Sequence, residues 1–411
     1  NNGACRVLAG AVMCPSYRVT REERDVTRGR ANTLRLAITG QLGPDALASD
    51  EMAETLKYCV SCKACRRECP TGVDMARMKI EVQAARLKQR GLSLHDRLVG
   101  YLPRYAPWAA RFPGLANLRD KMPVLARLSE KHAGFSTRRK LPAWRQDWFR
   151  ESAGVQNSDG PEVVLFVDTF NRYFEPDNVR AALAVLEAAG CRVHLPKPAG
   201  RPRRPLCCGR TFLSVGLVDQ AREEAERTIA ALTPYVENGV AVVGLEPSCI
   251  LGFRDEIPAL LKTEEARWLG SRAMLFEEFV TRELDVPLPL APIGHQRALL
   301  HGHCHQKSFG AMGAVEAALK LVPGLAVETI ESSCCGMAGA FGYGADTVDV
   351  SLKMGELSLL PAVRNAPAEA IIVADGTSCR HQIGDGAGRE ALHVARVLAM
   401  SIAAGRAARS G

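Results

Sequence analysis

Apolar residues recur at helical spacing over 31–42 and 52–58, and Ser49-Asp50-Glu51 has the cap-forming chemistry of a helix start. A cysteine-rich stretch follows. Beyond Pro70, Met75, Met78, Val82 and Ala85 return at steps of three and four, which predicts a helix over 73–88. The first hundred residues therefore read as mostly helical. Residues 101–150 show no sustained period; Pro103, Pro107, Pro113, Pro123 and Pro142 interrupt them, with Trp108, Trp144 and Trp148 among many arginines. This texture predicts an ordered linker packed over its neighbours, or a segment lying on a membrane surface.

From 162 onward short β-rich runs alternate with helical patterns, as βαβ units with a parallel sheet require. The first half reads strand 163–167, helix 178–189, strand 192–195, Cys207-Cys208-Gly209, helix 212–232, strand 240–245, then Glu246-Pro247-Ser248-Cys249. The second reads strand 298–301, His303-Cys304-His305, helix 313–321, strand 326–330, Cys334-Cys335-Gly336, helix 347–360, strand 370–374, then Gly376-Thr377-Ser378-Cys379. One order appears twice. The repeat predicts two similar α/β lobes whose cysteines sit in loops after the carboxyl ends of strands. The expected fold is thus α/β with an N-terminal all-helical ferredoxin-like domain (1–100), a Pro/Trp/Arg-rich linker (101–160), and Cys-Cys-Gly lobes at 161–290 and 291–411.

Fourteen cysteines in 411 residues, 47% of them apolar, change the picture from fold to chemistry. Disulfide scaffolds are short, core-poor secreted domains, so this chain points to metal ligation in a reducing compartment. No run of eighteen apolar residues and no signal-peptide pattern occurs, which predicts a cytoplasmic protein, with peripheral contact at the inner face of the membrane as the alternative setting. The chain does not begin with Met and is expected to be a piece of a longer polypeptide or a processed product. Residues 1–150 hold 28 Lys/Arg against 14 Asp/Glu, while 151–411 hold 25 against 31. A basic half of this kind offsets thiolate-bound clusters or meets an acidic partner; without an aromatic-interleaved motif, nucleic acid is not expected.

The run Cys59-x-x-Cys62-x-x-Cys65-x-x-x-Cys69-Pro70 is the strongest chemical signal. A C-x2-C-x2-C turn wraps three thiolates around one [4Fe–4S] cluster, and the following Cys-Pro ligates another in two-cluster ferredoxins. Cys14-Pro15 supplies the fourth ligand for Cys59, Cys62 and Cys65. Cys69 has only Cys5 as an early companion, so a second cluster there needs ligands ahead of Asn1, or is absent. Structural zinc sites generally use two separated pairs, which makes zinc the weaker reading.

Cys5, Met13-Cys14-Pro15-Ser16-Tyr17, Thr27-Arg28-Gly29-Arg30-Ala31-Asn32, the run from Cys59 through Cys69-Pro70-Thr71-Gly72-Val73-Asp74 and the two Cys-Cys-Gly lobes together resemble a known family. It is the carboxyl-terminal iron–sulfur half of bacterial FAD-linked D-2-hydroxyacid dehydrogenases of the D-lactate and D-2-hydroxyglutarate type; the glycolate oxidase iron–sulfur subunit is similar. The resemblance implies FAD in an upstream flavin domain or partner subunit. Electrons would pass through one [4Fe–4S] cluster, with a second or third further on, to a quinone or other acceptor. The lobes also resemble the catalytic subunit of heterodisulfide reductase, whose lobes use five cysteines each, which implies thiol or disulfide chemistry as the alternative. Carried over, that pattern assigns Cys304, Cys334, Cys335 and Cys379 to the second lobe, with Gln382 where the last cysteine would stand. It assigns Cys207, Cys208 and Cys249 to the first, with Asp168-Thr169 in place of an opening cysteine and Gly252 at the closing position. His301, His303, His305 and His381 crowd the second set, as iron ligands, proton carriers or hydrogen-bond partners. Cys191 reads as a buried apolar residue.

Overall fold

The computed structural model describes residues 3–8, 10–151, 160–198, 200 and 204–410. Its first part is helical, as the periodicity requires, with helices Pro15–Thr20, Thr27–Ile38, Asp50–Lys57, Ala64–Glu68 and Met75–Arg90. Ser49 Oγ accepts the Met52 N–H at 3.1 Å, and Asp74 Oδ1 accepts the Arg77 N–H at 3.2 Å. Each cap satisfies a donor that a helix start leaves orphaned.

The stretch without a period is also helical over much of its length: Leu102–Ala109, Pro113–Ala116, Leu118–Lys121 and Pro123–Ala133. Pro103, Pro113 and Pro123 lie in first turns, where the missing N–H costs nothing and the fixed φ suits the helix. Prolines that look like interruptions in the sequence are here mostly starts. Trp144 and Trp148 pack on Tyr173 and Phe174 of the first lobe, whereas Trp108 is exposed.

Two four-stranded parallel sheets follow. The first joins β1 (Glu162–Phe166), β2 (Arg192–His194), β3 (Ala241–Gly244) and β4 (Ala273–Leu275) in the order β2-β1-β3-β4. The second joins β5 (Arg297–Leu300), β6 (Ala326–Thr329), β7 (Ile371–Val373) and β8 (Ala391–Leu392) in the order β6-β5-β7-β8. The repeated order makes the lobes topological copies. Pairing β1 with β3 (Phe166 opposite Gly244) and β5 with β7 (Leu300 opposite Val373) brings the loops after these strands to one end of each sheet. Strands β4 and β8 add a fourth member that the sequence pattern did not reveal, being three and two residues long.

Two expected helices are broken. The run read as 212–232 is Arg210–Leu213 plus Val218–Val236, and the run read as 347–360 is Val348–Glu356 plus Leu359–Asn365. At the first break Gly216 has φ of 80°, and a Cβ there would lie 2.5 Å from the backbone of Gln83. The bend lets the lobe press on helix Met75–Arg90.

The lobes share one apolar core that includes Val185 and Leu186 of helix Pro176–Ala188, Phe279, Val315, Leu319 and Leu398 of helix Val394–Ser410. Burying each such side chain is worth about 1.5–3 kcal/mol, so the lobes form one body. Among the described residues, no helix is long and apolar enough to cross a membrane.

Candidate metal centre

The cysteine loop turns by left-handed backbone at non-glycine residues: Ser61 and Lys63 have φ of 51° and 61°, and Cys14 has 55°. Such conformations are unfavourable and persist where surrounding structure enforces them. Here they turn Cys59, Cys62 and Cys65 toward the space that Cys14 also borders. The four cysteines line one cavity, walled by Met13, Pro15, Met75 and Ala76. The Thr27 N–H donates to Cys14 Sγ at 3.1 Å and the Met75 N–H to Cys65 Sγ at 3.4 Å. A cavity bordered by four sulfurs, with amides directed at two of them, fits the donor set of a [4Fe–4S] cluster. Burial raises the thiol pKa of Cys14, and pushes Cys65 up to about 12, so these groups become ligands by losing protons to a metal.

In the second lobe the thiols are close together. Cys304 opens helix Cys304–Ser308 after β5, Cys334 and Cys335 follow β6, and Cys379 lies in helix Thr377–Ala387 after β7. Hydrogen bonds link Cys304 to Cys334, Cys334 to Cys335, and Cys335 to Cys379. The bond from Cys334 brings the Cys304 pKa down to about 6, and bonds from Cys334 and Cys379 hold Cys335 far below the usual thiol range. Both shifts favour the thiolate, which is the metal-binding form. Lys307 lies near all four sulfurs and balances their charge. Burial holds the His301 imidazole neutral, its pKa pulled down to about 4. His303 caps the helix by accepting the His305 N–H at 3.2 Å, while His381 Nδ1 lies 2.8 Å from Tyr343 Oη.

The first lobe is chemically different. Cys208 is hydrogen-bonded to Cys207 and to Cys249, and all three thiols are raised. At Cys249 the bond from Cys208 acts downward, but burial and the carboxylates of Asp168 and Glu246 outweigh it, giving about 12. Asp168 stands at the helix start where His303 stands in the second lobe. It is committed as a cap, accepting the Phe170 and Asn171 N–H groups at 2.9 and 3.1 Å. Cys5 lies buried on the short turn Ala4–Arg6. Cys69 is partly exposed, 3.2 Å from Thr71 Oγ1. Among the described residues, no group of three ligand atoms within 4.8 Å of one another includes either one. Cys191 is fully buried in the shared core.

The cysteine loop and the second-lobe site belong to one buried cluster of side chains. The Cys62 thiol is pushed up by burial and by the neighbouring Cys304. The two sites are joined through His305, whose Nε2 lies 3.1 Å from the Ser61 carbonyl and 3.2 Å from Arg210 Nη2 of the first lobe. Sequence reasoning missed Arg210, and it missed the ion network on the other side of the loop. There Lys63 Nζ lies 2.7 Å from Asp255 and 2.6 Å from Glu256, both buried, and Arg66 and Arg77 also reach Asp255. Burial opposes ionisation of Asp255, yet Lys63 and the arginines outweigh it and hold the carboxyl at about 2. The only sequence signal was position: Arg210 follows Cys-Cys-Gly, and Lys63 sits between two cysteines.

This combination defines an iron–sulfur protein of the oxidoreductases with an electron-transfer role. Residues 1–73 match the 4Fe-4S dicluster domain and residues 298–384 the cysteine-rich domain of the Cys-Cys-Gly type. D-2-hydroxyglutarate dehydrogenase of Escherichia coli strain K12 is 25% identical over 93% of this chain, which spans 41% of that protein. A subunit of the anaerobic glycerol-3-phosphate dehydrogenase of the same strain is 26% identical over 80% of the chain and 81% of its own length. Lactate utilization protein A of Bacillus subtilis strain 168 is 28% identical over 58% of the chain and 98% of its own.

Proposed function

We propose that this chain is the electron-carrying part of an FAD-linked D-2-hydroxyacid dehydrogenase. It would take electrons from a flavin domain or subunit that oxidises D-lactate or D-2-hydroxyglutarate to the 2-oxo acid, and pass them to a quinone or other acceptor. The observation that carries the reading is the juxtaposition of two cysteine sets: Cys14, Cys59, Cys62 and Cys65 around one cavity, with Cys304, Cys334, Cys335 and Cys379 in the same buried cluster beside it. A bound [4Fe–4S] cluster accepts and releases one electron at a time.

The chain's own residues would prepare such sites. Met13, Met75 and Ala76 exclude water from the first. The Thr27 and Met75 amides stabilise negative charge on sulfur there, and Lys307 does so in the second lobe. Cys207, Cys208 and Cys249 offer three sulfurs to a further metal, and Cys5 and Cys69 offer two. The helices of 102–133 would supply a peripheral membrane face. Trp108, Phe112, Leu115 and Val124 are 64–70% exposed there, beside the exposed Arg111, Lys121, Arg127 and Lys131.

The test is Cys62→Ala in the whole flavin-containing enzyme, purified anaerobically. The expected result is loss of one cluster's iron and of dye or quinone reduction, while the substrate still bleaches the flavin. Undiminished electron output would overturn the reading.

A further inference from the structure

Among the described residues two groups of three ligand atoms lie within 4.8 Å of one another: Glu277, Asp375 and His393, and His301, Cys335 and Cys379. In the first group both ring nitrogens are engaged. His393 Nδ1 accepts the Ala395 N–H at 3.0 Å and Nε2 donates to the Leu245 carbonyl at 2.9 Å. That imidazole has no lone pair left for an ion.

His301 is arranged differently. Its Nδ1 lies 2.9 Å from Ser332 Oγ, and that hydroxyl also receives Lys307 Nζ at 3.1 Å and is 3.4 Å from the Ile330 carbonyl. With the Ser332 proton directed at Ile330, the hydroxyl can accept from Nδ1–H, the tautomer that leaves the lone pair on Nε2 for a metal. This Nε2 is buried and has no hydrogen-bond partner, and a ring nitrogen of His301 lies within 4.8 Å of the Cys335 and Cys379 sulfurs. A ring nitrogen oriented from behind by a polar partner, with its lone pair turned toward sulfurs, is the arrangement of a metal-bound histidine.

A second observation comes from the opposite side of the site. Gln382 occupies the position of the last cysteine in the five-thiolate pattern, but its Nε2 donates to the Ser351 carbonyl at 3.1 Å. A Cβ at Gly355 would meet that same Nε2 at 2.5 Å. The Gln382 Nε2 is thus committed to helix Val348–Glu356, while its Oε1 is buried without a hydrogen-bond partner.

We propose that His301 Nε2 is the fifth donor of the second-lobe metal site, beside the sulfurs of Cys304, Cys334, Cys335 and Cys379. The neutral imidazole gives its lone pair, and no proton has to leave. Relative to five thiolates the site carries one negative charge fewer. Imidazole in place of thiolate raises the reduction potential of iron–sulfur centres, so this site would have a higher potential than the same site held by five thiolates. The inference rests on the iron–sulfur reading of the second lobe.

The experiment is pulsed electron paramagnetic resonance on the whole, anaerobically purified protein, grown with natural-abundance or ¹⁵N-labelled histidine. The expected result is a strongly coupled nitrogen that changes with the isotope and disappears in His301→Ala, with the signal of the cysteine-loop site retained. His301→Cys is expected to bring a thiolate back and lower the second centre's potential. A second-lobe signal without histidine nitrogen coupling, or coupling that survives in His301→Ala, would overturn the fifth donor; the labelling needs no variant to fold. If Cys334→Ala leaves the iron content unchanged, the iron–sulfur reading of this lobe fails as well.

Discussion

Ser308 Oγ lies 2.8 Å from the carbonyl oxygen of Cys62 and 2.8 Å from that of Cys304, so one hydroxyl bridges the cysteine loop and the helix that begins the second-lobe site. Ser308→Ala removes the bridge and leaves the Cys62 carbonyl without this donor. We expect a loss of about 1 kcal/mol in urea unfolding, with iron content unchanged. A loss of iron from both sites would show that the hydroxyl does more than join them.

Asp255 makes a second link, on the first-lobe side of the loop. Asp255→Asn leaves the buried Lys63 with only Glu256 to balance it, and is expected to destabilise the protein by about 3 kcal/mol at pH 7. The pH dependence has a definite sign. Asp255 ionises at about 2 in the folded chain, against about 3.9 for an unperturbed aspartate. Its contribution is present in full above pH 4 and is lost as pH falls through 2. The gap between wild type and Asp255→Asn should therefore close over that interval, and urea unfolding at stepped pH measures it. A gap constant from pH 7 to pH 2 would place the carboxylate's effect elsewhere.

The exposed apolar and basic residues of 102–133 predict binding to anionic vesicles that weakens with salt. Replacing Trp108, Phe112 and Leu115 together by Ser should lower the partition coefficient by at least about tenfold, since each side chain inserts apolar surface. Co-sedimentation with vesicles containing phosphatidylserine checks this. Equal partition of the triple variant would remove the membrane face from the account.

The sequence shows the two lobes clearly because each strand–cysteine–helix unit occurs twice in one order, and because buried parallel strands such as Val163-Val164-Leu165 are continuous apolar runs. It hides β4 and β8, which are too short for a period, and it disguises the helices of 102–133, whose starting prolines look like breaks. Spacing groups Cys14, Cys59, Cys62 and Cys65, and these four border one cavity in the fold. The ties between sites are not: Lys63 with Asp255 and Ser61 with His305 join residues nearly two hundred or more positions apart, and a single sequence carries no sign of such pairs.

On the proposed reading two metal centres lie side by side in this chain. The most direct measurement is the electron paramagnetic resonance spectrum of the fully reduced, anaerobically purified protein, recorded beside those of Cys62→Ala and Cys334→Ala. Two neighbouring paramagnetic centres should give spectra broadened by spin–spin interaction, and each variant should leave the other centre's spectrum simple and sharp. Two sharp, non-interacting signals in the wild type, or no iron signal, would overturn this arrangement of two adjacent centres.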